Sequence, residues 1–117
     1  MRDLSAMREQ FVRDGLPVRL GNVASDLARL SDWACEGHSG QALVDLMREI
    51  AHEMEWSGEA GPAELADMQR EVCFWRRAWP AAPARPVLAQ RARAMSERLL
   101  ELSGLLGDAA RRSRDAG

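Results

Sequence analysis

The chain has 117 residues and a formal charge of −2, with 16 arginines, no lysine, no threonine, no tyrosine and one isoleucine, Ile50. That length fits one domain, and the near-balanced charge excludes a nucleic-acid binder driven by bulk charge alone. Alanine, leucine, arginine, glutamate and methionine dominate while β-branched and aromatic residues are scarce, which excludes a sheet protein.

The opening residues, MRDLSAMREQF, space their apolar side chains between charges, unlike a signal peptide. Leu4, Met7 and Phe11 form one stripe and predict a helix from about Asp3 to Asp14. Gly15 is expected to stop it in a left-handed conformation, with Pro17 preventing continuation. A second helix is predicted from about Val18 to Cys35. Its seam of Leu20, Val23, Leu27, Leu30 and Ala34 is unbroken, and beside it runs a row of small residues, Gly21, Ala24, Ala28, Ser31 and Cys35. Small side chains let a neighbouring backbone come close, so this helix is expected at the centre, touched on two sides. EGHSG (36–40) reads as a turn, with Ser39 placed to cap a third helix from about Gln41 to Trp56. Leu43, Met47, Ile50 and Met54 make its seam, widened by Leu46 and Ala51.

SGEAGP (57–62) breaks the chain again. A fourth helix is predicted from about Pro62 to Trp79, with proline at the tolerated first position and a seam of Leu65, Met68, Val72, Trp75 and Trp79. The proline-rich PAAPARP leads into a fifth, from about Pro86 to Leu106, ended by Gly107. Leu88, Ala92, Met95, Leu99, Leu102 and Leu106 repeat along it with heptad spacing. The expected architecture is an all-α, single-domain bundle over residues 1–107, four helices packed together plus a short N-terminal one, followed by a polar tail at 108–117. No apolar run approaches the roughly 20 residues needed to span a bilayer, and two cysteines, Cys35 and Cys73, suit a reducing cytoplasm.

Three patterns bear on chemistry. Glu49 and His52 form an E-x-x-H motif of the kind that supplies metal ligands in di-iron bundles. No second copy exists, however, and His52 points away from the seam of its own helix. Cys35, His38, His52 and Cys73 number enough for zinc, but a helix between His38 and His52 would hold them about 17–20 Å apart. Neither a nucleophile motif nor a glycine-rich phosphate loop is present. No catalytic residue, cofactor or metal ligand is therefore assigned.

The stretch REVCFWRRAWP (70–80) concentrates aromatic and cationic side chains. Trp75 and Trp79 fall on the fourth helix's seam, whereas Phe74 points well away from it. On the third helix Asp45, Glu49, His52 and Trp56 share the face opposite the seam. Asn22, Asp26, Arg29 and Trp33 do likewise on the second, so each tryptophan is either a cap on the core or an anchor for a partner. Charge is split: residues 1–60 hold 6 Arg against 11 Asp and Glu, and residues 61–117 hold 10 against 7. The acidic stretch 36–59 and the basic stretch 70–98 either pair, within one fold or across a dimer, or face different partners.

This pattern points to a small non-enzymatic helical protein that binds a protein partner or itself as a homodimer. Its expected surface comprises Trp33, Trp56, Phe74, Arg76, Arg77, Leu100 and Leu105. One alternative is a ligand-binding or small catalytic bundle with an internal pocket lined by Met47, Met54, Met68 and Met95. Another is a nucleic-acid regulator using Arg70, Arg76, Arg77 and Arg91, although stacking on bases would need the tryptophans exposed.

Overall fold

The computed structural model describes residues 3–79 and 85–104. Leu105, Leu106, Gly107 and the 108–117 tail lie outside the described residues. Five helices follow in order: α1 (Leu4–Val12), α2 (Leu16–Glu36), α3 (Gly40–Ser57), α4 (Glu64–Ala78) and α5 (Arg85–Ser103). The described residues contain no strand, and the domain is all-α.

The helix ends follow from local chemistry. Asp3 caps α1 by accepting from the Ser5 N–H at 3.0 Å. Ser39 caps α3 as expected, its Oγ accepting from the Ala42 N–H at 3.1 Å. Gly15 corrects the sequence reading. It is extended, with φ −64° and ψ 161°, and serves as the N-cap of α2 rather than as a left-handed stop. Pro17 accordingly sits in the first turn of α2, where its missing N–H leaves no bond unmade. The left-handed stops are Gly37, with φ 78°, and Gly104, with φ 76°. Gly104 ends α5 three residues ahead of the predicted glycine. Pro62 precedes α4 instead of opening it, and its carbonyl accepts from the Leu65 N–H at 3.0 Å.

α2 is the central helix, packed against α3 on one side and α5 on the other, while α4 and α1 both lie on α3. All five residues of its predicted seam are buried, as are Leu43, Met47, Ile50 and Met54 of α3. In α1 only Phe11 is buried; Leu4, predicted on the same stripe, is exposed. The small-residue row of α2 does meet a neighbour closely. Ser31 Oγ donates to the Ala89 carbonyl at 2.8 Å, and Ser96 Oγ donates to the Ala24 carbonyl at 2.7 Å. The two bonds are reciprocal and lie seven residues apart on each helix in opposite senses, so α2 and α5 run antiparallel. A side-chain hydroxyl reaches a backbone carbonyl on another helix only where the helices nearly touch. α5 provides for this with its own heptad of small buried residues, Ala89, Ser96 and Ser103.

The opposite flank of α5 is wide. Arg91 forks onto Glu71 through Nε (2.9 Å) and Nη2 (2.8 Å), and Arg98 forks onto Glu64 with Nε at 2.8 Å. These pairs also lie seven residues apart on both helices. They bridge a cleft of about 300 Å³ that includes Met68 and Met95. Arg93 reaches α2, meeting Asp32 at 2.7 Å. The charge halves thus do not meet as blocks. α5's arginines pair with Glu64 and Glu71 of α4 and Asp32 of α2, none of which belongs to the acidic stretch 36–59.

Candidate functional site

Three features stand out once the helices are placed. The first is a cavity of about 240 Å³ where α1 crosses the α2–α3 pair. Phe11 and Trp56 form an aromatic wall, with ring centroids 5.8 Å apart and planes tilted by 53°. Trp56 is fixed from two further sides: His52 stacks on it at 5.7 Å, and Arg19 Nη1 donates to its carbonyl at 3.3 Å. Opposite lie Asp26 and Arg29 of α2, paired at 3.3 Å, and Glu49 and Glu53 of α3.

Glu53 is the unusual group. Burial, above all, then its hydrogen bond with Asp26 and the charges of Asp26 and Glu49, raise its pKa from 4.5 to about 10 against the opposing pull of Arg29. Its Oε1 is buried with no hydrogen-bond partner. Two ionised carboxylates repel, whereas one proton turns Glu53 into a donor and Asp26 into its acceptor. Glu53 thus holds its proton well above the ordinary carboxylate range. Such an acid beside a carboxylate is suited to holding or passing a proton. The cavity wall carries no serine, cysteine or histidine to act as a nucleophile beside it. The sequence reading placed Glu53 only within an acidic run. Its position next to Met54, with Asp26 next to Leu27 on the neighbouring helix, was the available signal: both acids flank buried seams.

The second feature is the outer face of α4. Leu65, Val72 and Trp75 are buried on its inner side, and Phe74 stands 53 % exposed on the other. Arg70 and Arg77 lie one turn before and one turn after it. Arg70 is paired with Asp67 at 3.1 Å. Arg76 and Arg77 are exposed, and neither has a carboxylate partner among the described residues.

The third is a groove of about 650 Å³ between α1 and α3. Leu4 and Met7 supply its apolar wall, Asp3, Asp45 and Glu49 its acids, and Arg48 and His52 the remaining polar wall. Asp3 and Asp45 accept from neutral donors, the Ser5 N–H and the Gln41 amide at 2.8 Å, so these bonds leave their charges in place.

Of the seven residues expected to form one surface, the six described do not form one patch. Trp33 is half-buried against the core and stacks on His38, with ring centroids 4.8 Å apart. Trp56 is half-buried too, at the far end of the hairpin, where the start of α2 meets the end of α3. Both tryptophans pack partly buried against the core. Leu100 packs half-buried against that core and not on a separate face. Leu105 lies outside the described residues. Phe74 and Arg77 remain together in the open, whereas Arg76, two residues from Phe74, projects from another side of α4.

Of the methionines named for an internal pocket, Met47 and Met54 are fully buried core residues. Of the four arginines named for nucleic acid, Arg70 and Arg91 are held by carboxylates. Among the described residues no group of three or more His, Cys, Asp or Glu side chains is placed to hold a metal ion, and no helix is long and apolar enough to cross a membrane. No protein family, curated protein or solved structure matches this chain.

Proposed function

We propose that the protein is a non-enzymatic helical interaction module whose contact surface is the outer face of α4. The observation that carries this reading is Phe74, a large aromatic side chain left 53 % exposed on a well-packed helix. Aromatic residues with arginine neighbours are the usual anchors of protein contacts. Here Arg76 and Arg77 have no carboxylate partner among the described residues, and Arg77 lies one turn from the ring on its face. Their charge favours a partner that offers an apolar notch ringed by carboxylates. A reducing cytoplasm is the compartment that suits free Cys35 and Cys73.

The test is site-specific photo-crosslinking in living cells, with a benzoyl-phenylalanine at position 74 and, as control, at Val18, which is also exposed but lies at the start of α2. A discrete adduct formed from position 74 and not from position 18 supports the assignment. Equal labelling from both positions, or none from 74, overturns it.

A further inference from the structure

The α4 face and the α1–α3 groove are complementary features of one molecule. Phe74 is an apolar knob with Arg77 one turn away on the same face. Arg70's charge is offset by Asp67, so the uncompensated charge at this end of α4 is positive. The groove has an apolar wall of Leu4, itself 39 % exposed, and Met7. Among the described residues its wall carries the acids Asp3 and Asp45, whose bonds go to neutral donors, against one arginine, Arg48. Its volume of about 650 Å³ is ample for an aromatic ring with its flanking side chains.

We infer that the occupant of the α4 face is a second copy of this chain, with Phe74 seated in the partner's α1–α3 groove and Arg77 against its carboxylates. This rests on the reading of α4 as the contact surface and adds the identity of what it contacts. Knob and groove are different patches, so the contact is heterologous. It closes into a pair only if each copy's knob reaches the other's groove, and otherwise continues from copy to copy. The charges at the rim set orientation and rate more than strength, and salt weakens the contact.

The experiment separates the two halves of the contact. Phe74→Glu removes the knob and leaves the groove; Leu4→Arg combined with Asp45→Arg blocks the groove and leaves the knob. All three side chains are exposed, and circular dichroism confirms that each variant folds. Sedimentation equilibrium is run on the full chain at about 100 µM. The unaltered protein is expected to associate, and each variant alone to associate at least about tenfold more weakly. The two variants mixed are expected to form a one-to-one species that neither forms alone.

Three results overturn the inference: a monomeric unaltered protein, association that survives in either variant, or a mixture that stays monomeric. A monomer whose position 74 still crosslinks to another protein removes the second copy and leaves the α4 contact surface standing. Loss of that crosslink removes both.

Discussion

Replacing Glu53 with glutamine tests the proton in the α1 cavity. In the folded chain the Glu53 pKa lies near 10, against 4.5 for the ordinary group. Its share of stability is therefore fully present below about pH 4.5 and is lost progressively as pH rises towards 10, because the unfolded chain sheds the proton that the folded chain retains. One group titrating this way changes stability by at most about 1.4 kcal/mol per pH unit, or about 4 kcal/mol between pH 5 and pH 8. Glutamine keeps a neutral head of similar shape that can donate to Asp26, and it has no proton to lose. Glu53→Gln is accordingly expected to stabilise the protein by about 1–3 kcal/mol at pH 8 and by much less at pH 5. Urea unfolding followed by far-ultraviolet circular dichroism, at several pH values between those limits, gives the difference between the two proteins. Taking that difference cancels the titrating groups that do not interact with Glu53. Parallel pH profiles, or a variant less stable at pH 8, would refute a proton held between Glu53 and Asp26.

Gly61→Ala places a Cβ 2.7 Å from the Ser57 carbonyl oxygen and 2.9 Å from Leu65 Cδ2, and the backbone contact cannot be relieved by a rotamer change. A loss of about 1–3 kcal/mol in urea unfolding is expected. Gly37→Ala, at φ 78°, is expected to cost about 1 kcal/mol by the same assay, since left-handed backbone penalises a Cβ. Ser96→Val both overfills the α2–α5 contact and removes the hydroxyl bond to Ala24, and is expected to lower stability by about 2–4 kcal/mol. Arg98 beside Glu64 holds that carboxyl below its ordinary range, so the pair's contribution is present above that range and lost as pH falls through the folded pKa. Glu64 is exposed, however, and Glu64→Gln is expected to leave the urea midpoint almost unchanged at moderate salt.

Much of the fold could be read from spacing. The seams of α2 and α3 are buried residue for residue because apolar periodicity reports which side of a helix faces inward. The small residues of α2 correctly implied a close neighbour. Spacing does not report which helix that neighbour is, so the matching Ala89, Ser96 and Ser103 of α5 went unnoticed beside a more conspicuous leucine seam. Pairings across helices were the least legible. Asp26 and Glu53 are 27 positions apart, and nothing local indicates that they face each other. Charge blocks did not single out the partners of Arg91 and Arg98, because proximity after folding, and not composition, selects Glu71 and Glu64. The packing of Trp33 and Trp56 depends on side-chain direction at the helix ends, which spacing does not report. His38 and His52 supply the stacking surfaces that hold them against the core.

The two seams of α5 form a pair of rulers with the same graduation. On one edge the marks are hydroxyls seated on carbonyls, and on the other they are arginine forks seated on carboxylates, each repeating every seven residues. A slip by one helical turn, roughly 5.4 Å, would misalign both scales at once. The axial position of α5 is thus written along its own length, and its connection to α4 need only be long enough to let it dock. Lengthening that connection with a few glycines should leave the register of both scales unchanged.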